Sequence, residues 1–257
     1  MLGAMIGDIV GSVYEWHNIK TTEFILFENR NFFTDDTVLT AATAQALMTD
    51  GDYTRAYQDF ARRYPRRGYG GNFKRWIYAQ DPKPYNSWGN GSAMRVSPVG
   101  FAFDSVEEVL AESKRSASVT HNHPEGIKGA QSTALAILMS RQGASQKEIR
   151  SEINRRFKYD LHRTLAEIRP HYTFDVSCQG SVPEAIIAFL ESENYEDAIR
   201  KAISIGGDSD TIACITGGIA EAYFGIPDPI IEEGYLVLPD EFIRIIADFH
   251  EWCKEKQ

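Results

Sequence analysis

The 257-residue sequence predicts an all-α fold built as a single domain over residues 1–257. Three observations lead there. Apolar residues recur with the helical period through most of the chain, and the ends of those stretches carry recognisable caps. Strand-like segments are confined to Glu23-Phe24-Ile25-Leu26-Phe27 and Tyr235-Leu236-Val237-Leu238, and neither has the turn chemistry that closes a hairpin. No linker rich in Pro, Gly and Ser and no fixed-period repeat divides the chain. A composition of 43% hydrophobic, 12% aromatic and 25% charged residues is ordinary for a globular protein and sufficient to fill one core.

The elements follow in chain order. In the first helix, Gly3, Gly7 and Gly11 form one stripe and Leu2, Ile6, Ile9, Val10 and Val13 a second. Asp8, Ser12 and Glu15 share the remaining face. Two buried faces leave that narrow polar one turned toward a cleft. Thr34-Asp35-Asp36-Thr37 opens the small and apolar run 38–48. The glycine- and proline-rich stretches 64–71 and 81–91 read as functional loops. Arg62, Arg63, Arg66 and Arg67, a dense basic cluster, read as a solvated helix end. Asp104-Ser105-Val106-Glu107 and Ser145-Gln146-Lys147-Glu148 fit the capping box. Between them, 126–140 is a long apolar helix stopped by Gly143. His121 and His123 precede it, and with no third His or Cys near them they suit hydrogen bonding better than zinc. Ser181-Val182-Pro183-Glu184 places a proline and an acid at the start of a run ending near Leu190, and Asn194 caps 195–205. Finally, Asp208-Ser209-Asp210-Thr211 opens 212–224, which Gly225 and Pro227 terminate. That makes at least eight helices.

Charge and cysteine usage exclude several functions. With 36 acidic and 27 basic residues the formal charge is −9, so no general attraction for nucleic acid or an anionic membrane is expected. Residues 1–8 have no basic region and are interrupted by Asp8, unlike a secretory signal, and no stretch reaches membrane-spanning length without a charge. Cys178, Cys214 and Cys253 are odd in number and widely spaced, which suits a reducing cytoplasm and no zinc knuckle.

The two acidic helix starts carry the chemistry. One acid at a helix N-terminus is a cap, worth roughly 0.3–1 kcal/mol through the helix dipole. Two such motifs offer four carboxylates with flanking hydroxyls, an excess that would repel itself unless a cation neutralised it. Hard oxygen donors of this kind suit Mg²⁺ or Mn²⁺. An EF-hand is excluded, because Asp208-Ser209-Asp210 has no glycine at loop position six and no glutamate at position twelve. In Trp88-Gly89-Asn90-Gly91-Ser92-Ala93-Met94-Arg95, the glycines let backbone amides approach a phosphate and Trp88 offers a stacking plane.

Taken together, Gly7-Asp8-Ile9-Val10-Gly11-Ser12-Val13-Tyr14-Glu15, Thr34-Asp35-Asp36-Thr37, Gly68-Tyr69-Gly70, Gly89-Asn90-Gly91-Ser92-Ala93-Met94-Arg95, Thr120-His121, Ser181-Val182-Pro183-Glu184-Ala185 and Gly206-Gly207-Asp208-Ser209-Asp210-Thr211 resemble the ADP-ribosylglycohydrolase family. The motifs run in family order over nearly the whole chain. The resemblance implies a compact orthogonal helix bundle with two Mg²⁺ or Mn²⁺ ions at the base of an ADP-ribose cleft. It implies metal ligation by Thr34, Asp35, Asp36, Asp208, Asp210 and Thr211. Substrate binding falls to Gly68, Gly70, Ser87, Trp88, Gly89, Asn90 and His121, and catalysis to Glu15 with Asp36 and Asp210. Trp88 stands where one branch of the family has tyrosine, and Ser92 replaces a small residue. The implied activity is hydrolysis of the N- or O-glycosidic bond between ADP-ribose and a modified side chain or small acceptor, with ADP-ribose as product. A metal-dependent phosphoesterase acting on a nucleotide diphosphate, or a non-catalytic ADP-ribose-binding protein, would use the same residues.

Overall fold

The computed structural model describes residues 1–256, and over them the chain is all-α as the periodicity predicts. Among the described residues pairing of the β type is limited to a single bridge between Gly89 and Ser177. Fifteen helical segments exceed the eight read from periodicity, because several are one or two turns long.

The chain begins with α1 (Leu2–Gly11), buried at every position, followed by an irregular segment and then α2 (Asp35–Met48), capped by the Thr34 hydroxyl. Next come α3 (Tyr53–Arg63), the short α4 (Gly71–Ile77), α5 (Gly91–Met94) and α6 (Ser97–Ala102). In α7 (Val106–Ser118) the capping pair is Ser105 with Glu108, one residue later than the sequence motif suggested. His123 caps α8 (Pro124–Arg141), its Nδ1 accepting from the Glu125 amide at 3.1 Å, so this histidine is spent on the helix. A full capping box at Ser145 and Glu148 starts α9 (Gln146–Phe157), and another at Thr164 and Glu167 starts α10 (Leu165–Ile168). The helix expected from Ser181 starts earlier: α11 (Cys178–Leu190) is capped by Ser177 and carries Pro183 in its interior. Asn194 caps α12 (Tyr195–Ser204) as read, and α13 (Ser209–Phe224) ends at Gly225 in a positive-φ conformation. Neither strand-like segment is a strand. Residues 23–27 are irregular, and 235–237 close α14 (Asp228–Val237) before α15 (Asp240–Lys256).

At the centre lies α13, packed against α1, α8, α11 and α12. Its contact with α1 is backbone to backbone, and the glycine stripe is the reason. A Cβ at Gly7 would stand 2.1 Å from the Ala213 carbonyl oxygen, and one at Gly11 would stand 2.5 Å from Asp210 Cα. Only residues without side chains allow this spacing. The approach brings the Asp8 turn of α1 beside the N-terminus of α13. Among the described residues no helix is long and apolar enough to cross a membrane, and the three cysteines are free.

Candidate active site

Three helices meet at one acidic floor. Asp8 comes from the middle of α1, Asp36 from the first turn of α2 and Asp210 from the first turn of α13, and all three are buried. Carboxylate oxygens of Asp8, Asp36 and Asp210 lie within 4.8 Å of one another, as do those of Glu15, Asp208 and Asp210. Asp210 belongs to both groups, and either group could hold a metal ion.

Hydrogen bonds fix this geometry. Asp8 Oδ1 accepts from the Thr34 hydroxyl at 2.7 Å, and Oδ2 accepts from the Thr34 amide at 2.9 Å, the Thr37 amide at 3.1 Å and the Thr37 hydroxyl at 2.5 Å. Asp8 thus anchors the start of α2 to α1. Of the polar face expected to turn toward a cleft, Glu15 lines the cleft, whereas Asp8 is wholly buried beneath it. Thr34 sits behind the floor, between Asp8 and Asp36, and does not line the cleft. On the other side Asn90 donates to Asp208 Oδ2 at 2.7 Å, tying the glycine loop to α13. Glu15 lies past the end of α1, on a loop held by Asn18, whose side chain donates to the Gly207 carbonyl and accepts from the Gly207 amide.

These acids have no ion-pair partner among the described residues. Burial raises every one of them above its ordinary value. Asp36 and Asp210 stand well above the usual carboxylate range, first by desolvation and then by acidic neighbours, Asp210 and Asp8 for Asp36 and Asp208 and Asp8 for Asp210. Asp8 and Asp35 move the same way, Asp208 to about 6 and Glu15 to about 7, with desolvation the leading cause throughout.

Above the floor opens a cleft of about 480 Å³. Gly68, Gly70, Ser87, Trp88, Gly89, Asn90 and His121 all line it, as do Asp35, Asp36, Asp208, Asp210, Thr211 and Glu15. Gly68 has φ +105°, a conformation that favours glycine, and a Cβ there would stand 2.7 Å from the Asp35 carboxylate. Gly70 has open space around it and stands at the N-cap of α4. The 87–90 loop is stitched to the start of α11: Asn90 donates its amide to Val176, and the Cys178 amide donates to Trp88. Trp88 is 47% exposed on the rim, near Phe174 and Val176, and Phe174 stacks on Trp16 at 5.3 Å between centroids. His121 Nδ1 lies 2.7 Å from the Thr120 hydroxyl, in keeping with hydrogen bonding in place of zinc.

The basic cluster lies outside this site. Arg62 donates to the Ile77 carbonyl, Arg63 pairs with Glu241, and Arg67 covers the Phe33 ring at 3.7 Å. Sequence reasoning put Asp8 on a face toward a cleft but missed its bonds to Thr34 and Thr37, and it gave no separate role to Arg95, which is wholly buried and lines the cleft. A signal for Asp8 was present, since an acid within the uninterrupted apolar and glycine run of α1 must find buried partners.

The chain is similar to proteins of known activity and to a solved structure. ADP-ribosylhydrolase ARH3 of Mus musculus is 28% identical over 306 residues, covering 88% of this chain and 83% of its own, and the Homo sapiens protein is 28% identical with 88% and 84% covered. The ADP-ribosylarginine hydrolase Tri1 of Pseudomonas putida is 26% identical, covering 96% of this chain and 73% of its own. A solved structure described as an ADP-ribosylglycohydrolase-related protein complex superposes with a TM-score of 0.66 at 24% identity, over 98% of this chain and 94% of that one, and shares the fold. The ADP-ribosylglycohydrolase family profile matches residues 1–253, and this chain belongs to that family.

Proposed function

We propose that this protein is a divalent-metal-dependent hydrolase that cleaves the glycosidic bond joining ADP-ribose to a modified protein side chain or small acceptor, releasing ADP-ribose. One observation carries the reading: a floor of unpaired carboxylates lies directly beneath a wall built from Gly89, Asn90 and His121. The donor set fits Mg²⁺ or Mn²⁺. All the side-chain donors are oxygens, and Asp36 Oδ2 is buried with no hydrogen-bond partner, an orphan that a cation would satisfy. Thr34, Asp35, Asp36, Asp208, Asp210 and Thr211 would hold two ions, with Asp8 positioning Thr34. When bound, such a pair neutralises the acids and supplies Lewis-acid and orienting chemistry at the ribose.

The chain's own groups do the rest. The wall from Ser87 to Asn90, with Gly68, Gly70 and His121, receives the diphosphate and adenosine, and the exposed Trp88 ring offers a face to the base. Hydrolysis at an anomeric carbon passes through an oxocarbenium-like state, so a proton must be managed at the departing atom or the incoming water. We assign that role to Glu15, which lines the cleft beside Asp208 and Asp210 and makes no ion pair among the described residues. Relatives named for ADP-ribosyl and ADP-ribosylarginine hydrolysis support the reaction class and leave the acceptor open.

Peptides ADP-ribosylated on arginine, serine or glutamate, incubated with the protein and Mg²⁺ or Mn²⁺, test this. Mass spectrometry is expected to find intact ADP-ribose from at least one peptide and none in chelator. AMP as the product would point to diphosphate cleavage, and full activity in chelator without bound metal would remove the metal from the reaction.

A further inference from the structure

The cleft wall contains a second arrangement, behind His121. Arg95 is wholly buried, lies over the Tyr57 ring at 4.1 Å from its centroid, and pairs with no carboxylate among the described residues. Its Nη2 donates to the Thr120 hydroxyl oxygen at 2.8 Å and to the Ser116 carbonyl at 3.3 Å. The same hydroxyl lies 2.7 Å from His121 Nδ1.

Proton accounting decides which way this chain runs. A guanidinium only donates, so the Thr120 oxygen accepts from Arg95 and its own proton must go elsewhere. One proton fits between Thr120 Oγ1 and His121 Nδ1. If it belonged to the imidazole, the hydroxyl would accept twice and its buried proton would have no acceptor, an arrangement folded proteins avoid. A doubly protonated ring is worse still, because it sets a second cation beside Arg95. Burial and Arg95 accordingly hold His121 well below its ordinary pKa. The remaining nitrogen, Nε2, is then the protonated one. It points at the glycine loop, where a Cβ on Gly91 would stand 3.1 Å from it, and no described side chain or backbone group bonds it.

We propose that Arg95 and Thr120 are positioning residues that lock His121 as the neutral Nε2–H tautomer, giving the wall beside Gly89 and Gly91 a fixed hydrogen-bond donor for an anionic, acceptor-only ligand group. A phosphate oxygen meets that description, and to that extent the proposal rests on the ADP-ribose reading above. A ligand group that is itself a donor is turned away, because the ring offers it no lone pair.

Long-range ¹H–¹⁵N correlation spectra of the imidazoles test the lock without any ligand. Wild-type His121 is expected to carry its proton on Nε2 throughout about pH 5–8, where an unperturbed histidine titrates. Thr120→Ser should keep that spectrum, whereas Thr120→Val should shift it toward a mixture of tautomers and weaken ADP-ribose at least about tenfold by calorimetry. A wild-type ring protonated on Nδ1 overturns the lock, as does a Thr120→Val ring with the wild-type spectrum. A Thr120→Val protein with altered tautomer but unchanged ADP-ribose affinity overturns the donor role. If the wild-type protein binds no ADP-ribose yet shows the Nε2–H spectrum, the functional reading falls and the lock stands.

Discussion

Glu15 and Trp88 are the side chains for which a surface role and a reacting role give the most different outcomes. A solvated glutamate changed to glutamine shifts stability by a few tenths of a kcal/mol and leaves catalysis alone. A residue moving a proton at the reacting bond contributes about 10²–10⁴ in rate and acts in the transition state. Glu15→Gln is therefore expected to keep ADP-ribose affinity while kcat falls at least about a hundredfold; near-normal turnover on the best peptide would return Glu15 to the surface. Trp88→Ala should weaken ADP-ribose by about 1–3 kcal/mol, the scale of stacking on a base, with metal affinity unchanged. Calorimetry showing equal affinity would mean that the ring covers nothing. Much of the site was legible at this scale. Asp36 and Asp210 stood out because two acidic helix starts exceed what capping requires, and the glycine loop because it repeats a phosphate-cradling pattern. The partners of Asp8 and Arg95 were not. Asp8 was read on a polar face toward a cleft and Arg95 as the end of the glycine motif, and only the tertiary neighbours, Thr34 and Thr37 for the one and Thr120 for the other, reveal their use.

Helix contacts explain what sequence gave and withheld at the next scale. Caps that close on themselves, Ser145 with Glu148 and Asn194 with Asp197, lie where the motifs put them. The α11 start moved because Cys178 bonds the Trp88 and Gly89 carbonyls, extending the helix ahead of Pro183 against the usual first-turn preference of proline. At 235–237 strand-forming side chains yield to a helix that lays Gly234 against Ile6. The tightest contact predicts opposite signs for one kind of substitution. Gly7→Ala gains up to about 1 kcal/mol of helix propensity but forces a methyl into the Ala213 carbonyl, so a net loss of about 1–2 kcal/mol is expected. Gly71→Ala, with open space around it in the first turn of α4, should be neutral or stabilising. Thermal melts of the two variants decide it, at about 2–4 °C per kcal/mol; a Gly7→Ala protein as stable as wild type would show that α1 and α13 are not in backbone contact.

Over the whole molecule, two sets of carboxylates pull stability in opposite directions with pH. Asp8, Asp35, Asp36 and Asp210 are raised by burial, so the folded protein binds more protons than the unfolded chain. Their contribution is full below the unfolded value of 3.8 and lost as pH climbs through the raised folded values; Asp208, raised from 3.8 to about 6, and Glu15, raised from 4.5 to about 7, act in the same sense. Glu148 and Glu167 are lowered by the hydrogen bonds of their capping boxes, and their contribution is lost instead on acidification below 4.5. Metal-free protein should be most stable near about pH 5 and lose melting temperature toward pH 8, and millimolar Mg²⁺ or Mn²⁺ should restore the neutral side. A melting temperature that rises steadily from pH 5 to 8 without metal, or ignores the cation, would contradict the acidic floor as described. The glycine seam between α1 and α13 has a further consequence, for the order in which the molecule is made. Most of the chain separates the two helices, so during synthesis α1 emerges with its bare backbone stripe uncovered and waits for a partner that is translated long afterwards. Contacts this distant in sequence close late and slowly. Asp8 and Asp36 therefore remain half of a site until α13 has left the ribosome, and no nascent product that stops short of Asp210 can assemble the floor.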